Sequence, residues 1–120
     1  MQTIVLDTNA LLMPFEMRIN LDLALSSLLG DVRVVVPGPM VGELKNLENN
    51  KHAKAALMLA RKYEIIQTET SGDDAIVEAA LRLDAYVLTN DKELRRRLRS
   101  LRIPIVYLRS NHHLVAETIS

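Results

Sequence analysis

Short runs of Val, Ile and Leu return along this chain between segments of helical period, and that alternation decides what it can fold into. The apolar runs fall at residues 2–6, 32–36, 64–68, 85–89 and 104–108. Helical patterns fill the intervals: a short helix after Asp7, then 19–29, 39–48, 51–62, 73–84 and 91–101. The strands are nearly unbroken in apolar character and end at Gly, Pro or Asx signals, which suits a parallel sheet covered on both faces. Strands alternating with helices predict a three-layer α/β fold. At 120 residues the chain forms one domain with a core of its own. In such open sheets the ligand site lies outside the carboxyl ends of the strands, where strand order reverses.

Composition removes several function classes. The chain has no cysteine, so disulfides, zinc knuckles and thiol chemistry are excluded. The greasy stretch 21–29 is broken by Asp22 and two serines and is too short to span a bilayer. Met1-Gln2-Thr3 leads into a strand without a basic leader region. The expectation is a cytoplasmic monomer or small oligomer with no membrane association. Net charge is zero, yet Lys92, Arg95, Arg96, Arg97, Arg99, Arg102 and Arg109 crowd residues 92–109 against the single acid Glu93. Local charge, more than the total, sets where a polyanion docks. In helix 91–101, Leu94, Leu98 and Leu101 repeat as a buried stripe, with Arg95, Arg99 and Arg102 beside them facing solvent.

Acidic residues recur where strands or loops turn into helices. Asp7 follows Ile4-Val5-Leu6, and Asp91 follows Val87-Leu88-Thr89-Asn90. Glu43 sits on the helix entered through Pro37-Gly38-Pro39, a fraction of a turn from the apolar stripe of Met40, Leu44 and Leu47. Asp73 and Asp74 open the helix after Ser71-Gly72; helical phase places Asp73 nearer the inward stripe and Asp74 at its border. Taken singly, Asp7, Asp91 and one of the aspartate pair read as helix caps, and Glu43 as half of an ion pair. Taken together, they are acids placed to converge at one edge of a sheet. Converging carboxylates repel one another, and a divalent cation resolves the repulsion. Oxygen donors suit Mg²⁺ or Mn²⁺.

Asp7-Thr8-Asn9 after the first strand, Glu43 in the second segment, Asp73 or Asp74 opening a later helix and Thr89-Asn90-Asp91 after the fourth strand resemble the PIN-domain nucleases over residues 3–109. The run Thr89-Asn90-Asp91-Lys92-Glu93-Leu94-Arg95-Arg96-Arg97-Leu98, followed by Ile103-Pro104-Ile105-Val106-Tyr107-Leu108, is similar to the branch that serves small-subunit ribosome biogenesis, and among its members to small archaeal stand-alone proteins. Asp73-Asp74 and Ser110-Asn111-His112 echo that branch too. The VapC-type toxins share the four acids. The resemblance implies a central parallel sheet of order 3-2-1-4-5, a PIN-like domain at 1–109 and a C-terminal tail at 110–120. It implies a metal-dependent endoribonuclease that leaves a 5′-phosphate and a 3′-hydroxyl.

In that reading Asp7, Asp91 and Asp73 or Asp74 hold one or two Mg²⁺ or Mn²⁺ ions, and Glu43 is a further ligand or takes the attacking water's proton. Two ions can generate the nucleophile and stabilise the leaving oxygen. Asn9 and Thr89 orient the ligands. Lys92, Arg95, Arg96, Arg99 and Arg102 are the candidate contacts to the RNA backbone. With only Phe15, Tyr63, Tyr86 and Tyr107 as aromatics, base stacking contributes little and recognition goes by shape or through a partner protein. Expected partners are RNA, a ribosomal precursor among the candidates, a second copy of the chain, and an assembly factor or antitoxin. His112 and His113 read as an exposed pair in a flexible tail. A phosphoacceptor receiver domain is the rival from another class; it fails because no paired acids end the first strand, no Asp follows Ile65-Ile66, and Leu108-Arg109 stands where its lysine belongs. A PIN fold kept as a non-catalytic RNA-binding subunit is the second rival, and its carboxylates would be dispersed.

Overall fold

The apolar run Thr3-Ile4-Val5-Leu6 becomes the strand on which the rest is hung. The computed structural model, which describes residues 1–118, places β1 (Gln2–Leu6) at the middle of a six-stranded sheet of order β3-β2-β1-β4-β5-β6. Its neighbours are β2 (Val32–Pro37) and β4 (Tyr86–Leu88), both parallel to it. Beyond them lie β3 (Glu64–Ile66) and β5 (Ile105–Arg109), again parallel. Ile4, Val5 and Leu6 are fully buried, which is why no polar residue interrupts that run. Each such side chain contributes about 1.5–3 kcal/mol when withdrawn from water.

The crossovers are helical throughout. α1 (Thr8–Met17) and α2 (Leu21–Leu29) join β1 to β2, and α3 (Gly38–Lys45) and α4 (Ala53–Ala60) join β2 to β3. α5 (Gly72–Leu83) joins β3 to β4, and α6 (Lys92–Ser100) joins β4 to β5. Helices cover the sheet in the expected three layers, with α5 packed on β1, β2 and β4, α1 on α3 and α4, and α6 on β5. No helix is long and apolar enough to cross a membrane among the described residues.

Two local expectations fail, each for a physical reason. Residues 113–117 are no loose tail. They form β6 (His113–Glu117), antiparallel to β5, after a tight turn in which Ser110 and Asn111 take positive φ and His112 N–H bonds to the Arg109 carbonyl at 3.2 Å. Leu114 is the residue that fastens this strand, 7% exposed and packed in the core. The stripe on α6 is also shorter than its spacing suggests. Leu94 and Leu98 are buried, but the helix ends at Ser100, Arg102 turns into the left-handed region, and Ile103 enters the core while Leu101 stays 43% exposed.

Strand order reverses between β1 and β4. The register Leu6↔Leu88 therefore sets Asp7 and Thr89, the residues just beyond each, side by side at the carboxyl edge of the sheet.

Candidate active site

Asp7 caps α1. Its Oδ1 accepts the Ala10 N–H at 2.7 Å, and the residue is only 6% exposed. Burial pushes its pKa up to about 6. The Thr89 hydroxyl and the Ala10 N–H pull it back down in part, while the charges of Asp73 and Asp91 add to the rise. Thr89 is fully buried and acts on both acids: its hydroxyl lowers the pKa of Asp7, and its Oγ1 accepts the Asp91 N–H at 3.1 Å. Asp91 in turn caps α6 through the Leu94 N–H at 3.0 Å. The individual cap readings of Asp7 and Asp91 are therefore correct, and the caps are what aim both carboxylates at the same edge.

Glu43, on α3, comes to that edge from the β2 side. Its Oε1 accepts the Thr8 hydroxyl at 2.7 Å, which ties it to the turn that carries Asp7. Asp73, in the first turn of α5, is raised by partial burial and by Asp91, Glu43 and Asp74, and lowered by Arg97. Asp74 turns the other way and pairs with Arg97 at 2.6 Å. Of the two adjacent aspartates, Asp73 is the one that shares a field with Asp7, Glu43 and Asp91.

The acids thus converge without closing. Among the described residues no group of three or more His, Asp or Glu side chains is arranged to hold a metal ion as it stands. Asp7 and Asp91 are turned to backbone N–H groups, Glu43 to Thr8 and Asp74 to Arg97. Among the described residues no lysine or arginine forms an ion pair with Asp7, Glu43, Asp73 or Asp91.

Among the described residues Asn9 makes no hydrogen bond to Asp7. Its Oδ1 accepts the Asn90 N–H at 3.2 Å, and Asn90 Oδ1 accepts the Leu108 N–H at 2.8 Å. That chain clasps the β1–α1 turn to the β4–α6 turn and to β5. Asn90, a candidate cap of α6 by its place beside Asp91, leaves the cap to Asp91 and forms the middle of that clasp.

The basic helix is less free than its composition suggests. Arg95 is half-buried, with its guanidinium 4.6 Å from the centre of the Tyr107 ring, and Arg99 is paired with Glu117 at 2.6 Å on β6. Of the expected solvent-facing stripe, Arg99 stays exposed but is engaged by β6, unseen in the sequence, while Arg95 is drawn onto Tyr107 of β5. Lys92 and Arg102 are exposed and make no ion pair among the described residues; Arg96 has only a loose contact with Glu93 at 3.6 Å. His112 and His113 border the groove between α2 and β6, on the β5–β6 turn.

With this geometry in view, the relatives can be placed. The family described as a PIN like domain matches residues 4–111, and the chain belongs to it. Ribonuclease VapC9 of Archaeoglobus fulgidus is 31% identical over 96 residues, covering 75% of this chain and 71% of that protein. Ribonuclease VapC4 of Methanocaldococcus jannaschii is 30% identical over 124 residues, covering 94% and 95%. Among solved structures, the PIN domain endonuclease Utp24 superposes with a TM-score of 0.83 at 24% identity, over 98% of this chain and 92% of that one; at that identity the likeness speaks to the fold. The strand order 3-2-1-4-5 expected of the family is the order found, with β6 added at one edge.

Proposed function

We propose that this protein is a metal-dependent endoribonuclease that cleaves RNA phosphodiester bonds at the acid edge. The observation that carries the proposal is Asp7: a buried carboxylate raised to about 6, faced by Asp73 and Asp91 and, among the described residues, by no ion-paired cation. A site built this way favours a positive charge from outside. The donors are all carboxylate oxygens and the chain has no cysteine, so the fit is to Mg²⁺ or Mn²⁺. Asp7, Asp73 and Asp91 are the proposed ligands. Asp74, held by Arg97, gives up the ligand role to Asp73. A bound ion would supply Lewis acidity and lower the pKa of an attacking water.

The chain's own groups do the remaining work. Thr89 fixes the Asp7 carboxylate and the Asp91 backbone with one hydroxyl, and the Asn9–Asn90 clasp keeps the two turns in register. Thr8 occupies Oε1 of Glu43, leaving Oε2 to accept the proton of the attacking water. Cleavage in this sense yields a 5′-phosphate and a 3′-hydroxyl. The two VapC ribonucleases, similar over most of the chain, support RNA as the substrate and favour a toxin role with a protein antitoxin as partner. The arginine-rich run after Asp91 favours processing of a ribosomal precursor, and a cytoplasmic location suits either.

The test is incubation of purified protein with end-labelled single-stranded and structured RNA in Mn²⁺ or Mg²⁺, beside Asp91→Asn. Cleavage that EDTA and the substitution both abolish is the expected result. RNA bound but uncut under every metal would return the chain to the non-catalytic reading.

A further inference from the structure

The helix α6 presents two basic flanks, and they are treated differently. At 100° per residue Arg95 and Arg99 fall on one flank and Arg97 on the other. The first flank meets β5 and β6, where Arg95 stacks on Tyr107 and Arg99 pairs with Glu117. The second faces α5, and there Arg97 Nη2 bonds Asp74 Oδ1 at 2.6 Å. Arg97 is also the one cation whose charge reaches Asp73. This guanidinium stands beside the acid edge, bonded to the neighbour of Asp73.

We propose that Arg97 binds a backbone phosphate next to the scissile bond, and that Asp74 is a positioning residue holding the guanidinium there. The inference rests on the nuclease reading above and adds a substrate contact to it. An RNA strand approaching these carboxylates would meet repulsion along its length, whereas an ion held by Asp7, Asp73 and Asp91 would offset the charge only at the reacting phosphate. The next phosphate needs a cation of the protein's own.

Arg97 has the form for that. Its side chain is 44% exposed and that of Asp74 62%, and Arg97 makes no other side-chain hydrogen bond among the described residues. The remaining N–H donors of the planar fork are open to two phosphate oxygens. A pair this exposed adds little to stability, so the fold itself gives no reason for it. It does account for why two aspartates stand together at the start of α5: Asp73 faces the other acids, and Asp74 faces the arginine.

Salt dependence tests this without confusion from folding. In an Asp91→Asn background, which keeps RNA uncut, Kd for a labelled single-stranded RNA is measured in Mg²⁺ from about 50 to 200 mM salt. Adding Arg97→Ala weakens binding about tenfold and lowers the slope of log Kd against log salt by about 0.7. Arg97→Lys keeps the slope and loses only a few-fold in affinity. In the otherwise unsubstituted chain, Asp74→Asn keeps its affinity for Mn²⁺ but cleaves more slowly at saturating metal. An unchanged slope in Arg97→Ala, with cleavage by the unsubstituted chain intact, overturns this inference alone. So does loss of Mn²⁺ binding in Asp74→Asn, which would make Asp74 a ligand. No RNA binding and no cleavage by any form overturns the nuclease reading, and this one with it.

Discussion

Two sets of carboxylates in this protein are built to opposite ends. Around the periphery, Glu64 is gripped by Arg33, Glu117 by Arg99, and Glu78 by the N–H groups of Glu69 and Thr70 with Arg82 alongside. Each of those acids is pulled below its usual range by its donors. At the carboxyl edge of the sheet, Asp7 and Asp73 are pushed above it by burial and by one another's company. The fold has arginines to spare for its surface and places none against Asp7. In the proposed reading, a cluster left in that condition favours a cation from outside the chain.

The sharpest way to break this contrast is to neutralise one acid of each kind. Asp91→Asn or Asp7→Asn should lower RNA cleavage by more than about a hundredfold, since even groups that only orient a metal's ligands cost about 10–100-fold when lost. Thr89→Val, which removes the hydroxyl shared by Asp7 and Asp91, should fall in that 10–100-fold range with the fold retained, as judged by circular dichroism.

The same substitution at Asp7 should move stability the other way. Because its folded pKa is raised, the folded chain holds that proton more tightly than the unfolded chain does. Stability is therefore undiminished below about pH 4, declines as pH climbs from 3.8 through about 6, and stays reduced above. Asparagine keeps the cap and drops the charge. In EDTA, Asp7→Asn should thus be more stable than the parent by up to about 3 kcal/mol at pH 7.5 and no different at pH 3.5, measured by urea unfolding. The smallest effect belongs to the periphery. Glu117→Gln loses an exposed pair whose stabilisation is present above the glutamate's ordinary pKa and fades as pH falls; its Tm should drop by less than about 4 °C, with cleavage unchanged.

Much of this architecture is legible in the amino-acid sequence. The Ile4-Val5-Leu6 run marks the central strand because only a strand buried on both faces is apolar at every position. The acids after it and after Val87-Leu88 mark the carboxyl edge at which strand order reverses. What stays hidden depends on partners distant in sequence. Nothing local says that His113–Glu117 returns to β5, so Glu117 and Tyr107 cannot be seen as the partners that engage Arg99 and Arg95. Helical phase alone leaves Asp73 and Asp74 nearly equivalent; the position of Arg97 on a neighbouring helix is what separates them. Asn90 reads as one more capping candidate in Thr89-Asn90-Asp91 until its bonds to Asn9 and Leu108 make it the clasp between two turns.

The claim underneath all of this is that the acid edge wants a divalent cation, and thermal unfolding with Mn²⁺ reads it directly. Metal added to the EDTA-treated protein at pH 7.5 should raise Tm in a concentration-dependent way, because an ion that binds only the folded state stabilises it by mass action. The rise should vanish in Asp7→Asn and persist in Glu117→Gln. A Tm indifferent to Mn²⁺ and Mg²⁺, or a rise that survives the loss of Asp7, would contradict the account.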